Sequence, residues 1–143
     1  MEKMCLMKAR KNFQALCFKH DNLMKTGETY TLSVTVSEMD TAEKIGSGGL
    51  PVYSTPSMIG HMETAAYNLA AAHGLQTVGT KVEISHLRAC RPGTEIRICA
   101  TLVEEEGRRL EFKVCAEDAK GLIGEGRHQR YVIDAERFMS RLD

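Results

Sequence analysis

Apolar and polar residues alternate along most of this chain. Tyr30, Leu32, Val34 and Val36 are separated by Thr and Ser, which is the period of a half-buried strand over 29–36. A second series runs through Val78, Val82, Ile84 and His86, a third through Ile96, Ile98, Ala100 and Leu102, and a fourth through Leu110, Phe112, Val114 and Ala116. The stretch "GLIGEGRHQRYVID" closes the series. Arg91-Pro92-Gly93, Glu106-Gly107 and Lys120-Gly121 lie between these runs as turn signals, and such short connections make neighbouring strands antiparallel.

One segment has a different period. Between Thr55 and His73 one stripe of Met58, Met62, Ala65, Ala66, Leu69 and His73 recurs at three- and four-residue steps, while His61, Thr64 and Asn68 hold the opposite side. Thr55 before Pro56 reads as an N-cap followed by proline at the first helical position, and Gly74 reads as the stop. The stretch "SEMDTAEKIGSGGLP" before the helix loses periodicity and gathers glycines, the pattern of a mobile loop. Strand, loop, helix and four strands make an α+β fold. Its expected form is the hotdog architecture, an antiparallel sheet of about five strands wrapped around one long central helix.

Residues 1–23 are basic and their apolar positions are clumped rather than periodic. They read as an N-terminal extension, disordered or a start-site artefact, ahead of a domain spanning 24–143. The length of 143 residues suits one ordinary core. Lys and Arg number 19, as do Asp and Glu, so no global charge points to nucleic acid or an anionic membrane. No apolar run approaches the roughly 18 residues of a membrane span, and the expected location is cytoplasmic. Five cysteines (5, 17, 90, 99, 115) and five histidines (20, 61, 73, 86, 128) show no metal-ligand spacing. Free thiols and no metal are therefore expected, with Cys90 a bystander.

Glu63 sits at the edge of the helix's apolar stripe, flanked by Ile59, Ala66 and Ala70. It reads as a working carboxylate, as an exposed helix-edge charge, or as a structural partner for His61 or a lysine. Thr55 reads as a cap or as a ligand-facing hydroxyl alongside Ser54. His86 reads as an inward core histidine or as an acid/base group facing the helix. Gly79 reads as a bulge glycine or as a point of close approach to a ligand. His128 and Arg130 share one strand face and read as a solvated or dimer-facing pair, with Arg130, Arg88 and Arg91 as candidates for binding phosphate.

Several stretches carry a resemblance. "TVGTKVEISHLRACRPGTEIRICATLVEEEGRRLEFKVCAEDAKGLIGEGRHQRYVI" resembles the second half of the fluoroacetyl-CoA thioesterase-like branch of the hotdog superfamily. The shared features are a GT…H strand, a P-x-G turn, a D/E-G-R-R-L hairpin and a G-x-G-x-H-x-R strand. "STPSMIGHME" matches that branch's T-x-x-M-[IV]-x-x-M-E pattern, and the resemblance runs from about Thr29 to Phe138. It implies a homodimeric acyl-CoA thioester hydrolase needing no cofactor beyond the CoA of its substrate, with pairing into tetramers left open. The catalytic set it implies falls on Thr55, Glu63 and His86, with Gly79 lining the pocket. The lid phenylalanines of fluoroacetate-specific members have no counterpart in "KIGSGGLPVYS", so the expected substrate is a small or medium acyl-CoA.

Glu63 lies seven residues beyond Pro56, roughly 10 Å along the helix axis. One compact site does not easily hold both that carboxylate and the start of the same helix. Two antiparallel helices across a two-fold axis would bring one start level with the other's middle. The sequence-based expectation is thus a site shared by two subunits; a non-catalytic acyl-CoA or small-ligand binding module on the same fold is the alternative.

Overall fold

The computed structural model describes residues 24–143; the expected extension, 1–23, lies outside the described residues. Five strands form one antiparallel sheet: β1 (Thr29–Thr35), β2 (Thr77–His86), β3 (Glu95–Glu106), β4 (Arg109–Asp118) and β5 (Gly121–Val132), in the order β1-β3-β4-β5-β2. A short helix α1 (Ala42–Ile45) follows a single 3-10 turn, Glu38–Asp40. The long helix α2 (Thr55–Ala72) packs against all five strands, and α3 (Ala135–Ser140) closes the chain. This is the hotdog arrangement the periodicity implied.

The core follows from the alternation in β3 and β4. Ile96, Ile98, Ala100, Leu102, Leu110, Phe112, Val114 and Ala116 are all buried, as are Met58, Met62, Ala65, Ala66, Leu69 and Ala70 of the helix. The small alanines let the helix lie close to the sheet, and Phe112 and the two methionines fill the volume left. His73, expected on the buried stripe, instead places its Nε2 2.5 Å from Glu28 Oε2 and ties the end of α2 to the residue before β1.

Three expectations need correction. The N-cap is Ser54 rather than Thr55, because Ser57 N–H donates to Ser54 Oγ at 3.1 Å. The stretch read as a featureless loop is partly built: Asp40 accepts from both the N–H and the hydroxyl of Ser37, Thr41 bridges to Tyr53, and Gly46 ends α1 in the left-handed conformation. Strand β2 does not keep one alternation throughout. Its register shifts between Gly79 and Lys81, so Gly79 faces Arg130 and Val82 faces His128 across the β2–β5 ladder. The extra residue, Thr80, reverses the parity, leaving Val78 on the opposite face from Val82, Ile84 and His86. α3 was not anticipated, although Asp134 caps it by accepting from Arg137 N–H at 2.9 Å.

Gly126 sets how closely β2 approaches β5. A Cβ there would lie 1.9 Å from the Glu83 carbonyl oxygen. Gly126→Ala is expected to destabilise the fold by roughly 1–3 kcal/mol or more, read by chemical denaturation, because the two strands must part. Ser54→Ala should cost about 1 kcal/mol through the lost cap.

Candidate active site

The capping role of Ser54 leaves the next hydroxyl available. Thr55 Oγ1 lies 2.8 Å from Nδ1 of His86, the last residue of β2. His86 stands opposite Gly124, where a Cβ would come within 2.6 Å of Met58 Sδ. The missing side chain thus admits Met58 and lets the first turn of α2 settle beside the end of β2. Burial lowers the His86 pKa below the ordinary imidazole value, a contact with the Arg88 backbone opposing it. The ring is therefore neutral near neutral pH. With Nδ1 accepting the threonine proton, Nε2 carries the ring hydrogen, and that buried atom has no hydrogen-bond partner among the described residues.

Tyr53 lies beneath this pair. It is 1% exposed, its ring meets His86 edge-on at 6.4 Å between centroids, and its hydroxyl lies 2.5 Å from His61 Nδ1. The Tyr53–His61 contact escaped the sequence reading; a tyrosine one residue ahead of the cap, eight before a histidine on the helix flank, was the available signal.

Glu63 stands apart from Thr55. The eight residues between them span roughly 12 Å of helix. Glu63 makes no hydrogen bond or ion pair among the described residues, but its charge acts on a second cluster formed by His128 and Arg130. That cluster corrects the expectation of a solvated or dimer-facing pair, since His128 is 1% exposed and Arg130 6%. Arg130 donates from Nε to Thr77 Oγ1 at 2.8 Å, from Nη1 to His128 Nε2 at 3.0 Å and from Nη2 to the Thr77 carbonyl at 3.2 Å. Its guanidinium carbon also lies 5.7 Å from the centre of the Tyr67 ring. Because arginine can only donate, His128 accepts at Nε2 and donates from Nδ1 to the Lys81 carbonyl. Burial, aided by the charge of Arg130, lowers the His128 pKa, while the Lys81 carbonyl and Glu63 oppose the shift.

Gly79 backs this cluster: a Cβ there would lie 3.2 Å from His128 Cε1 and 3.4 Å from Arg130 Nη1. Thr55 and His86 are thus brought together at one end of α2, while Glu63, Gly79 and Arg130 belong to a second group two turns along. Ser54, buried, has its hydroxyl engaged in the cap. Of the other candidate arginines, Arg88 is held by Asp118 and by the Gly121 carbonyl at 3.0 Å, whereas Arg91 is exposed beside a groove lined by Glu38, Leu50, Pro51, Val52 and Pro92. Cys90 is buried beyond the end of β2 and accepts from Tyr53 N–H through its carbonyl; burial raises its thiol pKa, which suits a bystander. Cys90, Cys99 and Cys115 are all unbridged.

Comparison with known proteins identifies the family. The chain is 36% identical over 94 residues to the fluoroacetyl-CoA thioesterase of Streptantibioticus cattleyicolor, covering 64% of this chain and 68% of that one. A crystal structure of a mutant fluoroacetyl-CoA-specific thioesterase with fluoroacetate and CoA superposes with a TM-score of 0.76 at 32% identity, over 80% of this chain and 99% of the other. A hot-dog-like protein from Thermanaerovibrio acidaminovorans, at 22% identity, shares the fold with a TM-score of 0.78 over 85% of this chain and 93% of its own. Residues 36–136 match the family described as fluoroacetyl-CoA-specific thioesterase, and the chain belongs to that family.

Proposed function

We propose that this protein hydrolyses a small or medium acyl-CoA thioester at a site shared by two copies of the chain. The observation that carries the reading is the 2.8 Å contact between Thr55 and a neutral His86 at a helix start, with His86 Nε2 buried and unpartnered. A hydroxyl bonded to an imidazole is an activated nucleophile when a third group orients the imidazole. His86 Nδ1 takes the Thr55 proton as the oxygen attacks the thioester carbon. The backbone N–H groups at the start of α2 stabilise the oxyanion, and CoA leaves as a thiolate. Water then resolves the threonine ester, with His86 again the base.

The third group is a carboxylate that accepts from His86 Nε2. Glu63 of the same copy is two turns away, so the carboxylate is assigned to Glu63 of a second copy in a homodimer. In this arrangement Gly79 and the buried Arg130 face the acyl end. Arg130 is enclosed by Thr77, His128 and Tyr67, which argues against the phosphate role considered for it. The Gly-rich lead-in to α2 lacks the phenylalanines associated with fluoroacetate selectivity, so the acyl class is kept wider than fluoroacetyl. The alternative, a non-catalytic binding module, requires tight binding of CoA esters without release of free thiol.

A thiol-trapping assay over an acyl-CoA panel tests this. Thr55→Val, His86→Ala and Glu63→Gln should each lower kcat by about a hundredfold or more. No thiol release by the wild type would favour the binding module. Mixing the Thr55→Val and Glu63→Gln proteins after reversible dissociation should restore about a quarter of wild-type activity, because half the dimers are mixed and each mixed dimer has one intact site. No recovery, with mixed dimers shown to form, would place the whole site in one subunit. The pH dependence carries a sign as well. Burial disfavours the imidazolium of His86, whereas a carboxylate on its Nε2 favours it, so in Glu63→Gln the acid limb of kcat/KM should lie at lower pH than in the wild type.

A further inference from the structure

Tyr53 is the residue on which the surroundings of His86 converge. Its N–H donates to the Cys90 carbonyl at 2.8 Å, it bridges to Thr41 at the base of the α1 segment, and it directly precedes the Ser54 cap. Its ring meets two imidazoles edge-on, His86 at 6.4 Å and 76° and His61 at 5.8 Å and 71°. A phenol buried this deeply must find an acceptor, and His61 Nδ1 is the one it has. Burial, the largest cause, together with the nearby Asp40 and Cys90, pushes the Tyr53 pKa well above its ordinary value, so the phenol keeps its proton. Tyr53 is then the donor and His61 the acceptor.

We infer that Tyr53 and His61 act as a positioning pair for His86: the Tyr53–His61 hydrogen bond fixes the plane of the tyrosine ring, and that ring holds the imidazole toward Thr55. Neither residue touches the reacting atoms. The remaining anchors of His86 are few. Within one copy its Nδ1 meets Thr55 and its Nε2 meets nothing among the described residues, so one hydrogen bond and one ring contact orient it before a second copy adds its carboxylate. A free tyrosine ring would turn about its side-chain bonds and release the imidazole with it. His61 lies on the flank of α2 away from Glu63, which separates its role from that of the carboxylate.

This inference rests on the thioesterase reading, and the test distinguishes the failure of one from the failure of the other. If wild type releases thiol and Thr55→Val does not, the reading stands and the pair can be examined. Tyr53→Phe keeps the ring and deletes the hydroxyl, and His61→Leu deletes the acceptor. Each should lower kcat roughly tenfold, the rate equivalent of one hydrogen bond, with KM nearly unchanged. The double variant should fall no further than either single one, since both remove the same bond. His61→Asn, whose side-chain oxygen occupies the place of Nδ1, should recover most of the loss. The inference is overturned if kcat per folded molecule is unchanged in both single variants, if their losses multiply, or if His61→Asn behaves like His61→Leu.

Discussion

The arrangement at the site depends on a side chain that is absent. Gly124 in β5 leaves room for Met58, and Met58 belongs to the first turn of α2. If that room were filled, the thioether of Met58 would have to swing aside, loosening the packing between the first turn of α2 and the end of β2. Gly126, two residues on, performs the same service between strands, letting the Glu83 carbonyl approach. The β5 segment "GLIGEGRH" thus uses glycine opposite Ala116 and Val114 of β4, because two close contacts converge on one face of one strand. The apolar burial of β3 and β4 holds the sheet and helix together; the glycines let the Met58 side chain and the Glu83 backbone come close to β5.

The parts of the fold that were legible in the sequence were those where burial on one face is complete. Ile96 to Leu102 and Leu110 to Ala116 face the helix without interruption, so alternation maps directly onto structure. β2 was less legible because it is an edge strand whose Val82 remains 40% exposed, and because one extra residue resets its parity. Thr55 was a sound candidate for the cap on composition, but two adjacent hydroxyls compete for that role. Only the backbone decides, and it gives the cap to Ser54. His128 and Arg130 looked like surface residues since charged groups rarely lie buried; here each polar atom finds a partner in Thr77, Lys81 or the other, which removes most of the cost. The helix period marked Glu63 as unusual, yet no local pattern could reveal that His86 would be left with an open nitrogen.

The long helix therefore has two chemical ends in one chain. Its start meets a hydroxyl and an imidazole, and its middle presents a carboxylate near a buried cation. Within one copy the two lie roughly two turns of helix apart. In the proposed reading, selectivity for the acyl group is a separate question, assigned to the cluster behind Gly79 and to the Gly-rich segment ahead of α2.

The bulge at Thr80 has a consequence for how such a sequence can change over time. Gly79 and His86 are seven residues apart, an odd spacing that in a regular strand would place them on opposite faces. They share a face only because of the one additional residue between them. Losing one residue there leaves an even spacing, which keeps the two on one face only if the bulge closes at the same time; with the bulge retained, the histidine turns to the far side of the sheet. Across this stretch descendants of the gene can exchange residues at exposed positions, but a change of length by one must be matched by gain or loss of the bulge.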